Sequence, residues 1–253
     1  MIRALLLLFL MFASAVPAAA TYFAAPNGID NPTCSPSAPC TAQGAFMRCH
    51  LDMPPGGVCN IQLADGDYVD PGINVFYYRL AALTGNCANV GAVRLIGTTP
   101  TALIWIQDHS IGIVRCMQLV AFVGGVVGIA GRQHVIIDYD RIVFGNMTAG
   151  VQIALSDHSI ASCLGPVTIA GNAAMHAIVG AFSKLNLSCD VNINGIFAID
   201  YFINTNSFSI VDASQARFIG NFNVIGTQCN LANAIVSRPR NGQAFPGSVP
   251  GNC

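Results

Sequence analysis

Two clusters of side chains hold most of the chemistry this sequence offers. The first is Asp138-Tyr139-Asp140-Arg141, the densest polar run in the centre of the chain. On an extended strand Asp138 and Asp140 point to one side, about 7 Å apart. Inverting cleavage of a glycosidic bond needs two carboxyl groups roughly 6.5–9.5 Å apart, one as acid and one as base. The same pair could hold Ca2+, a hard cation that takes carboxylate oxygens and would acidify the carbon beside a bound uronate. A solvated turn in which Arg141 pairs locally is the plain reading of the same four residues.

The second cluster comes from a repeat. Asp108-His109-Ser110-Ile111 returns as Asp157-His158-Ser159-Ile160, 49 residues later. Steps of 24 and then 25 residues place Asp108, Arg132 and Asp157 in one column on three successive turns, with His109, Gln133 and His158 beside them. Strands stacked about 4.8 Å apart let one guanidinium fork bridge two carboxylates. The column is either a structural polar ladder or a groove in which Arg132 grips an acidic sugar while His109 or His158 exchanges a proton. Two rungs separate these histidines by about 10 Å, too far to act on one proton. Asp138, Asp140 and Arg132 are therefore the catalytic candidates, and Asp108, His109, Asp157 and His158 the substrate-binding ones. Trp105, Tyr77, Tyr78, Tyr139 and Tyr201 offer faces on which sugars could stack. Ser156, Ser159 and Ser162 lack the Gly-x-Ser-x-Gly elbow of a serine hydrolase.

The elements that must position these residues are marked by glycine. Val93–Gly97, Arg141–Gly145, Val167–Gly171, Val191–Gly195 and Asn223–Gly226 are short apolar segments whose final glycines lie 48, 26, 24 and 31 residues apart. The period is about 25, with a modest insertion in the last turn. Each repeat holds short runs rich in Ile, Val and Phe between Gly, Asn, Asp and Ser, which is strand and turn chemistry. One repeat cannot bury its own apolar side, so successive repeats must stack into one continuous interior. The expected fold is all-β, a right-handed parallel β-helix. Ile111, Val135 and Ile160 are expected to form one inward ladder, and Ile113, Ile137 and Ser162 the next. Both open ends need covers. Thr41 ahead of Ala45, Phe46, Cys49 and Met53 suits a short helix over the first turn, stopped by Pro54-Pro55-Gly56-Gly57. Arg238 to Cys253 reads as an irregular flap held by a disulfide.

Composition agrees with this architecture. The chain has 253 residues, 53% hydrophobic and 9% charged, with no Glu, a single lysine at Lys184, 25 Gly and 19 Asn. Such a chain lacks the residues that clothe exposed helices, which excludes an all-helical protein. A net charge of −1 gives no electrostatic case for nucleic acid or an anionic membrane surface. Arg3, the apolar run from Ala4 to Ala15 and the small residues to Ala20 have the succession of a secretory leader, with cleavage expected after Ala20. Residues 21–90 then form the cap and first turn, 91–228 the solenoid turns and 229–253 the flap. The apolar stretch from Cys116 to Ala130 is too short to span a bilayer comfortably and reads as buried strand. After the leader no membrane segment is expected, and the protein is placed outside the cell or in a periplasm.

Ten cysteines in an exported chain call for disulfides. They are Cys34, Cys40, Cys49, Cys59, Cys87, Cys116, Cys163, Cys189, Cys229 and Cys253. No metal site is expected among them, since none forms a Cys-x-x-Cys pair. Cys163 and Cys189 are suited to adjacent turns, and Cys229 to Cys253 would staple the tail. Asn146-Met-Thr148 and Asn186-Leu-Ser188 fit glycosylation acceptors.

The run Thr21 to Asp30, the capping segment Pro39 to Leu51, Pro55-Gly-Gly57, Asn60 to Tyr68 and Val93 to Gly97 resembles the opening of right-handed parallel β-helix proteins of the pectin-lyase-like superfamily. The resemblance covers residues 21 to 97 as an ordered motif and the remainder through its period. It implies a polysaccharide or cell-surface glycan as partner, and a polysaccharide lyase or glycoside hydrolase if the protein is an enzyme. The chain departs from the family's catalytic patterns. It has no Asn-Thr-Asp, Asp-Asp and His-Gly succession and no Arg-x-Pro-x-x-Arg segment, and Arg238-Pro-Arg240 lies in the flap. A non-catalytic secreted or surface repeat protein is the alternative.

Overall fold

The computed structural model describes residues 19–54, 56–77, 79–220 and 222–251. Every paired strand in it is parallel, and each pairs with its equivalents about one repeat before and after it. The result is a β-solenoid of about seven turns with three strand faces. One face runs through Ile61, Leu83, Val114, Tyr139, Cys163 and Leu187. A second carries the glycine-ended segments, and a third stacks Ile104, Ile129, Ile153, Ala177 and Ile203. These aliphatic columns are almost fully buried and make one continuous interior. Branched side chains suit it because each packs on its own equivalents one rung above and below.

The period is right and the phase is one residue off. Ile136 stands opposite both Ile111 and Ile160, so the steps are 25 and then 24. In a strand, a slip of one residue exchanges inside and outside. Ile111, Ile136 and Ile160 accordingly face solvent, at 37, 41 and 36% exposure, and do not form an inward ladder. The interior positions belong to Gly112, Ile137 and Ala161, while Val135 shares its inward column with Ser110 and Ser159. Ser162 is paired with Asp138, opposite Ile113, in an outward column. The insertion is smaller than the glycines suggest: Arg217–Ile219 continues the glycine-ended face 27 residues after its partners in the strand Asp190–Ile193, whereas Phe222–Leu231 belongs to the third face.

The first end is covered by helix α1 (Ala42–Asp52), which buries Ala42, Ala45, Phe46 and Cys49 against the first turn. Thr41 caps it: its Oγ1 accepts from the Gly44 N–H at 2.9 Å and donates to Asp30 Oδ1 at 2.7 Å. Arg79, almost fully buried, donates to the His50 and Pro54 carbonyls and to His50 Nδ1, tying the helix exit to the next turn. Replacing Thr41 by Ala is expected to cost about 1 kcal/mol, read as a lower denaturant midpoint with unchanged slope.

Among the described residues, four disulfides join Cys34 to Cys40, Cys49 to Cys59, Cys87 to Cys116 and Cys163 to Cys189. The second fixes α1 to its strand, and the last links adjacent turns as its spacing predicts. The Cys229–Cys253 staple ends on Cys253, outside the described residues, as do Tyr78 and leader residues 1–18. Ala19 and Ala20 already stand in the first strand, Ala19–Ala24, beside Val58 and Cys59. No described helix is long and apolar enough to cross a membrane.

Candidate functional site

The corrected register regroups the expected polar column. Gln133, not Arg132, stands between Asp108 and Asp157, and His134 stands between His109 and His158. Both members of each pair occupy the left-handed region, at φ 57 and 58° for Asp108 and His109, 67 and 60° for Gln133 and His134, and 57 and 61° for Asp157 and His158. Two such residues in succession are unfavourable for L side chains. Here each turn is secured by the next, with His109 N–H donating to the Gln133 carbonyl at 2.9 Å and His134 N–H to that of Asp157 at 2.8 Å. The three imidazoles stack with centroids 5.0 and 4.9 Å apart and planes within 1°. Phe182 and Phe208 continue the stack at 5.2 and 5.7 Å. Sequence spacing alone missed His134, although Gln133-His-Val-Ile136 sits one period from each Asp-His-Ser-Ile.

Arg132 and Asp157 do meet, on a diagonal between turns, with Nε donating to Oδ2 at 2.9 Å. They form one wall of an open groove of about 530 Å³ on the third face. Its floor is the outward column Trp105, Ala130, Ala154 and Ile178. The two alanines leave a shelf beside the indole, which is 37% exposed. Asp108 and His109 are turned away from this groove and line, with Tyr77, Gln133 and His134, a separate cleft of about 440 Å³. His158 stays on the stacked edge, so neither expected histidine enters the Arg132 groove.

Asp138 and Asp140 lie on the first face, in neither hollow. Burial pushes the Asp138 carboxyl upward, opposed by the Arg115 guanidinium. Asp140 is engaged by Arg141, whose Nε and Nη2 donate to one carboxylate oxygen at 3.1 and 3.0 Å. Tyr139 between them is 1% exposed and offers no sugar platform. Among the described residues no three or more His, Cys, Asp or Glu side chains are grouped so as to hold a metal ion.

One polar pair escaped the sequence reading. Gln152 and His176 sit on adjacent turns inside the solenoid, both 0% exposed, with His176 Nδ1 2.5 Å from Gln152 Oε1. Phe202 stacks on the imidazole at 4.7 Å and Phe144 meets it edge-on at 5.6 Å. Their 24-residue spacing was the available signal. The chain matches no protein-family model, no curated protein and no solved structure.

Proposed function

We propose that the protein is an exported β-solenoid of the pectin-lyase-like kind that binds an extended polysaccharide in the Trp105 groove without cleaving it. The observation that carries this reading is the half-exposed indole beside an alanine shelf, flanked by the Arg132–Asp157 pair. A pyranose ring has an apolar face that suits Trp105 and a hydroxyl rim that suits a guanidinium and a carboxylate. Cleavage would require acid and base groups converging on one bond. Asp157 is the sole carboxylate lining the groove among the described residues, and Arg132 already holds it. The four disulfides among the described residues support service outside the cell.

Trp105 is the only tryptophan in the chain, so its fluorescence reports the groove directly. Titrating the oxidised protein with acidic and neutral polysaccharides should give a saturable change with at least one of them. Retardation of the protein in gels containing that polysaccharide should weaken at least about tenfold for Trp105→Ala, or about 1.4 kcal/mol. Neither new reducing ends nor unsaturated uronides should accumulate, with or without Ca2+. Unchanged fluorescence across the panel, or wild-type retardation of Trp105→Ala, would overturn the groove assignment; product formation would overturn the non-catalytic reading.

A further inference from the structure

We propose that the ligand of the Trp105 groove is a neutral polysaccharide lying along the solenoid axis, with Tyr201 as a second stacking platform further down the same face. A neutral chain held on two platforms deepens the polysaccharide assignment of this groove and rests on it. Strand register lays out the path. The outward column Trp105, Ala130, Ala154 and Ile178 continues through Asn204 to Asn230. Beside it a second outward column passes Val127, Val151 and Met175 to Tyr201. Every side chain on these columns between the rungs of Trp105 and Tyr201 is therefore apolar. The Trp105 groove ends at Ile178, and Tyr201, half-buried on the next rung, lines a further hollow of about 480 Å³.

The two aromatic rungs are separated by four strand spacings, about 19 Å along the axis. A pyranose in an extended chain advances by about one such spacing, so about five rings fill the stretch. Each ring can lay an apolar face on the aliphatic floor, and the indole and the phenol hold the chain at its two ends. Asn204 and Asn230 adjoin the Tyr201 end and offer amide donors and acceptors to sugar hydroxyls. They are already ordered, since Asn230 Nδ2 donates to Asn204 Oδ1 at 3.2 Å. Charge selects among polysaccharides. Among the described residues, the charged side chains lining the two hollows are Arg132, Asp157 and Asp200. Arg132 and Asp157 cancel in one ion pair, and the exposed Asp200 makes the sum negative. A uronate chain would bring like charge to this face, whereas a neutral chain brings none.

Isothermal titration of the oxidised protein with polygalacturonate, and separately with soluble β-glucan, mannan and xylan, tests both parts. At least one neutral polysaccharide should bind at least about tenfold more tightly than polygalacturonate, with an affinity that added salt leaves unchanged. Oligosaccharides cut from it should gain affinity with length up to about five rings and then level off. Tyr201→Ala should bring that plateau to shorter chains and weaken polysaccharide binding at least about fivefold, while the Trp105 fluorescence change persists. Tyr201→Phe keeps the ring face and should bind as the wild type does. Circular dichroism confirms the fold of both variants. A protein that binds no polysaccharide at all would sink the groove assignment and the neutral ligand with it. Trp105-dependent binding that is undiminished in a natively folded Tyr201→Ala chain, or that favours polygalacturonate and weakens with salt, would overturn the neutral, two-platform ligand and leave the groove assignment standing.

Discussion

Acidification below pH 6.5 should destabilise the protein by about 1.4 kcal/mol per pH unit through His176 alone. Burial pushes this imidazole down from 6.5 to about 3. The unfolded chain therefore binds a proton through this window that the folded chain refuses. Stability from this group is fully present above pH 6.5, falls as the pH falls, and stops falling below about pH 3. His50, lowered by burial and by the Arg79 guanidinium, acts in the same sense, while Asp138, raised by burial, acts in the opposite one. A variant isolates the contribution. His176→Phe with Gln152→Leu keeps a ring between Phe144 and Phe202 and removes the buried Gln152 Nε2 and His176 Nε2, neither of which has a partner. Between pH 6.5 and 4.5 the wild type should lose about 2–3 kcal/mol more than the double variant in denaturant titrations. At pH 7 the variant should be no less stable, since an unpartnered buried polar group costs about 1–3 kcal/mol. Parallel pH profiles for the two proteins would refute this account.

That pair also shows what limits a reading from sequence. Helix α1 is legible because its cap, its apolar spacing and its proline stop are local. The solenoid is legible because its period recurs. Phase is harder: the true inward residues opposite Ile137 are Gly112 and Ala161, too small to announce a core, whereas the outward Ile111, Ile136 and Ile160 look like one. Two left-handed residues before each of these strands reset the alternation, and neither is glycine. On the third face Gln152 and Ile153 are both buried, a local break in alternation that hides the polar pair. The groove was half visible. Arg132, Asp157 and Trp105 stood out by type, but the shelf is made by Ala130 and Ala154, whose importance is their lack of side chain.

The far end of the solenoid supplies the second large effect. Phe245→Ala should lower stability by about 3–5 kcal/mol and make the protein's mass in solution rise with concentration more steeply than that of the wild type. Phe245 is 3% exposed, and its ring packs 5.9 Å from Phe218 and 6.2 Å from Phe202, closing the apolar interior over the last turns. The flap around it also occupies backbone groups that a bare terminal strand would present. Gln243 accepts from the Phe218 N–H at 3.1 Å and donates to its carbonyl at 3.3 Å, so one side-chain amide takes the place of a strand. Val249 adds a parallel bridge by accepting from Gln228 N–H and donating to the Gly226 carbonyl, both at 3.0 Å. These contacts are on an irregular segment with no sheet of its own, and Phe245 is its apolar anchor. Without that anchor the edge at Arg217–Ile219 becomes a template for another chain. Gln243→Ala removes two hydrogen bonds and leaves the apolar seal, so it should cost only about 1–3 kcal/mol. Denaturant titration and sedimentation over a concentration series separate the two variants. A Phe245→Ala protein with the sedimentation behaviour and stability of the wild type would show that the solenoid end is held by something other than this ring.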